Sequence, residues 1–326
     1  MSSIILNESV KASVPFKDCP RLINSLDLPK LVSRLHNENA SVGDGNATFN
    51  VIFTLQNDEL GDITRAVQED QILKTRIKCK KRGIITELPS FWDVWNSDKR
   101  LSNKIKNSQD PNEEKWKCSR EFGYKMANTF MPLYAKCIYE YFNAENVLDP
   151  CAGWGDRMIA AASTTCVKNY VCFDPNRSLR PGYGTLMNLT GHEIEYIDEH
   201  KMLFNNGFES YVEPFERGAK RLKSESFDLV FTSPPFFDYE IYVSTNPKYK
   251  NWIDEFYTPL FIESARCVKI GGHVAIHIED TSAGTIEPFL LNKVNKICSL
   301  KLVYKIGLRG FMSGQERPVW IFVKTL

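Results

Sequence analysis

The chain has 326 residues, of which 43% are hydrophobic, and its 41 Lys and Arg residues against 40 Asp and Glu residues give a formal net charge of +1. This composition indicates one large or two smaller globular domains, and it excludes a strongly basic protein that would bind polyanions through its overall charge. The nine cysteines form no Cys-x-x-Cys pair and no Cys/His spacing typical of zinc, which predicts reduced thiols and no metal site.

The N-terminal region, residues 1–119, is polar and irregular. It begins without a basic segment followed by a long apolar run, and the chain contains no apolar stretch near 18 residues, so we expect a soluble intracellular protein of the cytoplasm or nucleus, not secreted and without a membrane partner. Alternating apolar and β-branched residues predict a strand at 48–55, and a helix is expected around 60–72. A charged, Asn-rich segment at 97–117 places the domain boundary after residue 119.

Six positive charges fall within nine residues of this N-terminal region. Clustered Lys and Arg displace counterions from nucleic acid, so the cluster predicts phosphate contacts, with a solvated basic face as the alternative. Aromatic residues at 91, 92 and 95 follow, and they either pack in a small core, which is the more common role, or stack on bases. The predicted nucleic-acid-binding residues are Lys74, Arg76, Lys78, Lys80, Lys81 and Arg82.

The second region, residues 120–326, opens on a helical pattern that leads into a short apolar strand ending in Asp149. A turn with Gly153 and Gly155 and then an Ala-rich helix follow. Glycines let a ligand approach the backbone and the helix N-terminus adds donors, so this order opens a nucleotide-binding βαβ unit. The next strand ends in Asp174, 25 residues after Asp149, where a carboxylate can accept both hydroxyls of a ribose.

The charge of Asp149 argues against a dinucleotide in this turn, because a carboxylate repels a pyrophosphate and attracts a cation. Trp154 between the two glycines also departs from the dinucleotide pattern. A ligand that carries a sulfonium and an ammonium, S-adenosylmethionine, fits this turn. A helix-capping role for Asp149 is the alternative, and Cys151 inside the turn is assigned to packing.

The apolar strand at 227–231 runs directly into Ser233, Pro234, Pro235 and Phe236. Two prolines fix two φ angles and remove two backbone donors, so the strand must end there. The turn then presents a hydroxyl, a proline carbonyl and a flat ring, which suit a planar group that bears an amine. The alternative is a loop that ends a strand and packs its aromatic rings in the core.

Together these motifs resemble those of class I S-adenosylmethionine-dependent methyltransferases that act on exocyclic amino nitrogens of nucleobases. The segment from Asp149 to Gly155 is similar to their first motif, Asp174 to the acid that ends their second strand, and Ser233 to Phe236 to their Asn/Asp/Ser-Pro-Pro-aromatic motif. The combination of the first motif with the double-proline motif also resembles that of methylases of phages and large viruses. The resemblance covers residues 120–326 and implies cofactor binding by Asp149, Pro150, Ala152, Gly153, Trp154, Gly155, Asp174, Pro175 and Phe215, and catalysis by Ser233, Pro234, Pro235 and Phe236.

The serine at the start of the second motif is the form typical of cytosine-N4 enzymes, whereas adenine-N6 enzymes more often have Asp or Asn. The resemblance therefore implies nucleic acid as the partner, with DNA favoured over RNA and cytosine N4 as the target. Neither the interval between the motifs nor the chain after them has room for a full target-recognition domain, so recognition falls to residues 1–119 or to a partner subunit. An RNA amino-methyltransferase and a non-catalytic binding subunit remain as alternatives.

The remaining spacing predicts a Rossmann-like α/β fold, a sheet of seven mostly parallel strands with an antiparallel edge, beside a smaller mixed N-terminal region. Phe215 is expected at the end of the third strand, against the adenine. His273 and His277 share a face of the fifth strand and are assigned to the core or its rim. Asp238, Tyr239 and Tyr242 are assigned either to the pocket or to the surface. The predicted later elements are strands at 209–215, 271–278, 300–308 and 319–324 and helices at 252–268 and 286–298.

Overall fold

The computed structural model describes residues 127–242, 249–309 and 316–326, together with short N-terminal stretches. Those stretches are 32–36, 51–55, 72–76, 78–82 and 87–88, with single residues at 49, 90, 93, 103, 107 and 109. The predicted helix at 60–72, except its last residue, and the predicted boundary after residue 119 lie outside these ranges. Across the ranges, no helix has the length and apolar character needed to span a bilayer.

The strands are β1 (Val32–His36), β2 (Val51–Leu55), β3 (Lys80–Arg82), β4 (Glu87–Leu88), β5 (Asn146–Asp149), β6 (Asn169–Phe173), β7 (Ile194–Ile197), β8 (Lys201–Phe204), β9 (Phe208–Tyr211), β10 (Phe227–Thr232), β11 (Glu240–Ile241), β12 (Val268–His277), β13 (Leu300–Arg309) and β14 (Glu316–Lys324). The helices are α1 (Leu73–Arg76), α2 (Pro132–Tyr141), α3 (Asp156–Ala162), α4 (Arg180–Leu189), α5 (Phe215–Gly218), α6 (Thr258–Cys267), α7 (Glu287–Asn292) and α8 (Val294–Ile297).

Seven strands form the core of the main sheet in the order β13-β14-β12-β10-β5-β6-β9. The pairs β12–β10, β10–β5, β5–β6 and β6–β9 are parallel, and β14 runs antiparallel to both of its neighbours. This arrangement confirms the predicted Rossmann-like sheet with an antiparallel edge, which is the fold of class I methyltransferases. Because β5, β6 and β10 are parallel and adjacent, their carboxyl ends meet at one edge.

The described part of the sheet is wider than predicted, with eleven strands. The chain between β6 and β9 adds the antiparallel strands β7 and β8 beyond β9. At the other side, β2 pairs in parallel with β13, and β1 pairs with β2. The N-terminal region therefore contributes strands to the main sheet, and β2 confirms the strand expected at 48–55.

Prolines account for two differences between the predicted and observed elements. The predicted strand at 209–215 ends at Tyr211, and Pro214 directly precedes α5, so Phe215 begins a helix. The predicted helix at 252–268 begins as a π-helical turn over Ile253–Tyr257 before α6. Pro259 lacks the N–H that a regular helix would use there, which favours this local widening. The predicted helix at 286–298 is divided at Lys293 into α7 and α8.

Both faces of the sheet are covered by helices. Successive residues of β5 point to opposite faces, so Val147 packs in one hydrophobic cluster and Leu148 in the other. Helices α2, α3 and α4 supply residues to the first cluster, and α5, α6 and α7 supply the second. The resulting three layers hold the strand ends, and the turns that follow them, in a fixed position.

Candidate active site

One cavity of about 460 Å³ lies where β5, β6 and β10 end. Gly153 lines it from the turn after β5, Asp174 from the end of β6, and Ser233 from the turn after β10. The three segments are distant in sequence and meet because their strands are neighbours in the sheet. The volume is typical of a small-molecule site.

The two glycines of the first turn have different roles. Both adopt left-handed φ values, +56° at Gly153 and +86° at Gly155. A Cβ on Gly153 would meet nothing closer than 3.9 Å, whereas one on Gly155 would lie 2.6 Å from Cδ1 of Leu186. Gly153 thus leaves open space beside the cavity, and Gly155 lets α3 and α4 pack closely.

The backbone of Gly153 is fixed by two hydrogen bonds. Its N–H donates to Oδ2 of Asp174 (3.0 Å), and its carbonyl accepts from the Tyr183 hydroxyl (2.6 Å). Oδ1 of Asp174 accepts from the N–H of Asn176 (2.8 Å). Burial raises the pKa of Asp174 to about 7, although these two hydrogen bonds act in the opposite direction. The cavity wall therefore carries a carboxylate poised to gain or lose a proton near neutral pH.

Asp149, predicted to bind an ammonium, lies outside the cavity lining. Its side chain is fully buried and does not line the cavity. Oδ2 lies 2.9 Å from Nε of Arg157 and accepts from the Tyr170 hydroxyl (2.8 Å), while Oδ1 accepts from Thr232 (2.8 Å) and from the N–H of Cys151 (3.2 Å). Its charge is compensated inside the protein, so Asp149 ties β5, β6 and β10 to α3.

The other predicted cofactor residues divide into two groups. Pro150, Gly153, Trp154, Asp174, Pro175 and Phe215 line the cavity. Ala152 and Gly155 do not, and the N–H of Ala152 instead donates to the carbonyl of Phe173 (2.8 Å). Cys151 lines the cavity too, and burial raises the pKa of its thiol well above the usual value. A protonated thiol is a weak nucleophile, in keeping with the packing role assigned to it.

Acidic side chains outnumber basic ones in the cavity lining. Two arginines line the cavity, of which Arg157 is paired with Asp149, and Nε of Arg317 lies 3.7 Å from Glu279. Burial raises the pKa of Glu216. The acidic lining residues outnumber the arginines and are Asp156, Asp174, Glu216, Glu240, Glu279 and Asp280.

All four predicted catalytic residues line the same cavity. Their turn is clamped by Tyr257, whose hydroxyl donates to the carbonyl of Pro235 (2.7 Å) and accepts from the N–H of Phe237 (3.1 Å). Phe237 adopts φ +55°, an uncommon value for a residue with a side chain, and its ring is buried. The clamp therefore holds a strained turn, which keeps Ser233 and Phe236 at the cavity.

Sequence reasoning missed the partner of Ser233. Its Oγ lies 2.9 Å from Nδ1 of His277, a residue assigned to the core or rim. His277 is buried, lines the cavity, and ends β12. Burial lowers its pKa to about 3, helped by the positive charges of Arg317 and Arg157. The pairing of β10 with β12, in which Thr232 faces Ile276, brings these two residues together.

Sequence reasoning also missed the segment before α2. Asn128, Thr129 and Phe130 line the cavity, and the carbonyl of Asn128 accepts from the Trp154 indole N–H (2.9 Å). The N–H of Phe130 donates to Oδ2 of Asp156 (3.2 Å). The helical pattern that opens the second region covers these residues, but residues 127–131 are coil and the helix begins at Pro132. Aromatic residues complete the wall: Tyr239, Tyr242, Tyr249, Trp252 and Phe256. The sequence assigns Tyr239 and Tyr242 to either the pocket or the surface together with Asp238, which does not line the cavity.

Part of the basic cluster forms β3, whose backbone pairs with a strand that contributes to the cavity wall. β3 pairs with β11, the strand that follows the double-proline turn, so that Lys81 faces Glu240. Lys78 is exposed and Lys80 half-buried, but Arg76 is buried and its Nε donates to the carbonyl of Ala127 (2.6 Å). Arg76 therefore has a structural contact inside the protein. The side chains of Lys74, Lys81 and Arg82 lie outside the described part.

Within the described residues, no group of three or more His, Cys, Asp or Glu side chains could hold a metal ion.

Comparison with solved structures finds low similarity to methyltransferases. TrmN from Thermus thermophilus is 15% identical, with a TM-score of 0.38, over 60% of this chain and 50% of its own length, so this chain spans half of that protein. A methyltransferase from Pyrococcus furiosus is 16% identical over 60% of this chain and 84% of its own, with a TM-score of 0.41. Trm1 from Pyrococcus horikoshii, solved with S-adenosyl-L-methionine, is 12% identical over 60% of this chain and 57% of its own length, also with a TM-score of 0.41.

No protein-family model and no curated protein matches the chain. Because the three TM-scores lie below 0.5, we base the function on the residues of this chain alone.

Proposed function

We propose that this protein is an S-adenosylmethionine-dependent methyltransferase that acts on an exocyclic amino nitrogen of a nucleobase, cytosine N4 in DNA. One observation carries the proposal. The glycine turn after β5 and the double-proline turn after β10 line a single cavity, and Asp174 at the end of β6 belongs to the same lining. A methyl donor and a planar amine held by these two turns would therefore meet in one space.

Several residues fit the parts of the cofactor. Asp174 is placed to accept from the ribose hydroxyls, as carboxylates at the end of the second strand do in nucleotide-binding folds. Pro214 and Phe215 offer an apolar surface for the adenine. The open side of Gly153 admits the ligand to the backbone, and the acidic lining favours its ammonium and sulfonium. Asp156, in the first turn of α3, replaces Asp149 as our candidate carboxylate for the ammonium.

The double-proline turn fits the amine. An exocyclic amine is a weak nucleophile because its lone pair is delocalised into the ring. The Ser233 hydroxyl and the Pro234 carbonyl would accept its two hydrogens, and Phe236 would stack on the base. These contacts favour a pyramidal nitrogen with its lone pair directed at the methyl group.

The bound cofactor supplies an electrophilic methyl group on a sulfonium. An amine held by the double-proline turn would form its bond to the methyl carbon as the carbon–sulfur bond broke, leaving a neutral thioether, and its extra proton would pass to solvent. The residues of the chain position the amine and exclude water, and no covalent intermediate on the protein is needed. The protonated Cys151 has no part in this step.

The basic strand β3 supports a nucleic-acid substrate. It pairs with β11, whose Glu240 lines the cavity, so the backbone of Lys80 and Lys81 runs beside that strand. Phosphate contacts there would position the strand without reading its sequence. A base in a duplex would have to be flipped out of the stack to reach Ser233. Recognition of a particular sequence falls to residues 1–119 or to a partner subunit.

A transfer assay tests the proposal. The protein is incubated with S-adenosylmethionine labelled in its methyl group and with cytosine-containing DNA or RNA, and label is expected in DNA. Transfer to RNA alone would show that the substrate is RNA, and the proposed active site would stand. Calorimetric binding of the cofactor without transfer to either polymer would indicate a non-catalytic subunit. Ser233→Ala with Phe236→Ala is the matched control, because it should bind the cofactor and transfer nothing.

A further inference from the structure

We propose that His277 is a positioning residue that fixes the direction of the Ser233 hydroxyl, so that Ser233 offers acceptors, and no donor, to the amine of the substrate. This inference rests on the proposed function and names the group that tunes the same site. It begins from the 2.9 Å contact between Oγ of Ser233 and Nδ1 of His277.

The contact is built into the sheet. β10 and β12 are parallel neighbours, and Thr232 faces Ile276; the next residues are Ser233, directly after β10, and His277, the last residue of β12. Strand pairing therefore fixes the two Cα atoms, and only the ring orientation remains to be set. Phe130 and Phe236 hold that ring on two sides, at centroid distances of 5.2 and 5.7 Å. The imidazole is thus a rigid partner for Ser233.

The direction of this hydrogen bond decides what the hydroxyl can bind. A hydroxyl has one hydrogen and two lone pairs, and a neutral imidazole has one N–H and one lone pair. If Ser233 donates to Nδ1, its lone pairs remain for the amine hydrogens of a base. If Nδ1 carries the hydrogen, the hydroxyl hydrogen turns to the cavity, where it would oppose an amine and suit a carbonyl.

A neutral ring is required for the first arrangement, and the surroundings favour it. His277 is 7% exposed, and the guanidinium groups of Arg157 and Arg317 both disfavour a second positive charge. Arg317 and Glu279 also line the cavity, and the Phe130 ring centroid lies 5.5 Å from Cζ of Arg157 and 5.2 Å from the centroid of the imidazole. With the ring neutral, one ring nitrogen keeps a lone pair throughout the physiological pH range, and in the proposed arrangement that lone pair is on Nδ1.

The test that does not depend on turnover is the tautomer. In protein labelled with ¹⁵N-histidine, we expect Nδ1 of His277 to show the chemical shift of an unprotonated nitrogen that accepts a hydrogen bond, and to shift in Ser233→Ala. The resonance is assigned by its loss in His277→Phe. A protonated Nδ1 in the wild-type protein would overturn the inference whether or not methyl transfer is observed.

The second test is a double-mutant cycle on kcat. His277→Phe keeps a ring of similar size and removes the acceptor, so it should lower kcat about tenfold in the wild-type background, the loss expected from one hydrogen bond. In the Ser233→Ala background it should have an effect of less than about twofold, because the group it acts on is gone. His277→Asn, whose amide oxygen can take the place of Nδ1, should recover part of the loss.

Controls separate positioning from packing. His273 lies four residues earlier on β12, packs against Phe142 at 4.7 Å, and does not line the cavity, so His273→Phe should leave kcat unchanged. Cofactor affinity should stay within about threefold in every variant. Equal losses from His277→Phe in both backgrounds, or a parallel loss of cofactor binding, would show that His277 serves only the core. Absence of transfer by the wild-type protein, with the expected tautomer present, would reject the proposed function alone.

Discussion

Arg157 compensates the charge of Asp149 inside the protein, with Nε 2.9 Å from Oδ2, and both side chains are almost completely buried. The guanidinium also donates to the carbonyl of Cys151 in the glycine turn. This pair joins the end of β5 to the first turn of α3. Asp149, which the sequence predicts as a ligand contact, therefore helps to hold the shape of the glycine turn.

Asp149→Ala should destabilise the protein severely. It leaves the Arg157 charge buried without a partner, which costs about 3 to 5 kcal/mol in such pairs. Chemical denaturation measures the loss. Asp149→Ala with Arg157→Met should recover part of it, because the double variant no longer buries a lone charge. If Asp149→Ala is as stable as the wild-type protein but has lost cofactor affinity, Asp149 contacts the ammonium as the sequence predicts.

Asp174 should make cofactor affinity depend on pH. Its pKa of about 7 means that the carboxylate is ionised at pH 8 and mostly protonated at pH 6, so affinity should fall as the pH is lowered. Calorimetry from pH 6 to pH 8 measures the dependence. Asp174→Asn is the control, since it should bind more weakly at every pH and retain only the titration of the ligand's own amino group. Identical pH profiles would contradict the role of Asp174.

The same raised pKa affects folding in the opposite sense. The folded state holds the proton more tightly than the unfolded chain, whose carboxyl has a pKa of 3.8. The contribution of Asp174 to the free energy of unfolding is therefore complete below pH 3.8 and is lost as the pH rises through 7. The change of thermal stability between pH 5 and pH 8 should be smaller in Asp174→Asn than in the wild-type protein.

Tyr257→Phe should loosen the double-proline turn. It leaves the Pro235 carbonyl and the Phe237 N–H without the hydroxyl that joins them, which should lower the free energy of unfolding by about 2 kcal/mol. Methyl transfer should fall while cofactor affinity stays within about twofold, because Tyr257 does not line the cavity. Tyr211→Phe, which removes a hydroxyl bonded to Glu209, should leave transfer unchanged. Wild-type turnover in Tyr257→Phe would show that the turn holds its shape without the clamp.

Lys78 and Lys80 should contribute to nucleic-acid affinity through phosphates. Lys78→Gln with Lys80→Gln should weaken binding to all sequences alike, and the slope of log affinity against log salt should fall by about 0.9 for each lost contact with duplex DNA. Fluorescence anisotropy at several salt concentrations measures both. Lys301→Gln, an exposed lysine on β13, is the matched control. An unchanged salt slope would place the phosphate contacts elsewhere.

The elements that position the site were predictable because they have local signals. Glycines at 153 and 155 mark a turn after an apolar strand, and the double proline ends β10. Strand alternation with helices then predicts that the turns share one edge of the sheet. The antiparallel edge follows from two late strands without a helix between them.

The contacts within the site were not predictable, because they depend on packing between distant segments. Arg157 turns back to Asp149 only once α3 docks against β5, and the pairing of β10 with β12 decides that Ser233 meets His277. The helical pattern from residue 120 does not predict the coil that carries Asn128, whose carbonyl accepts from the distant Trp154. A sequence gives residue types at strand ends, whereas register and docking decide which side chains face the ligand.

Mass spectrometry of nucleosides from cells that express the protein tests the central claim, a shared cavity for the methyl donor and the amine. Wild-type protein should produce N4-methylcytosine in DNA, and the Ser233→Ala, Phe236→Ala variant should still bind the cofactor and produce none. Equal amounts of the methylated nucleoside with both proteins, or no methylated base in DNA or RNA with a wild-type protein that binds the cofactor, would contradict it.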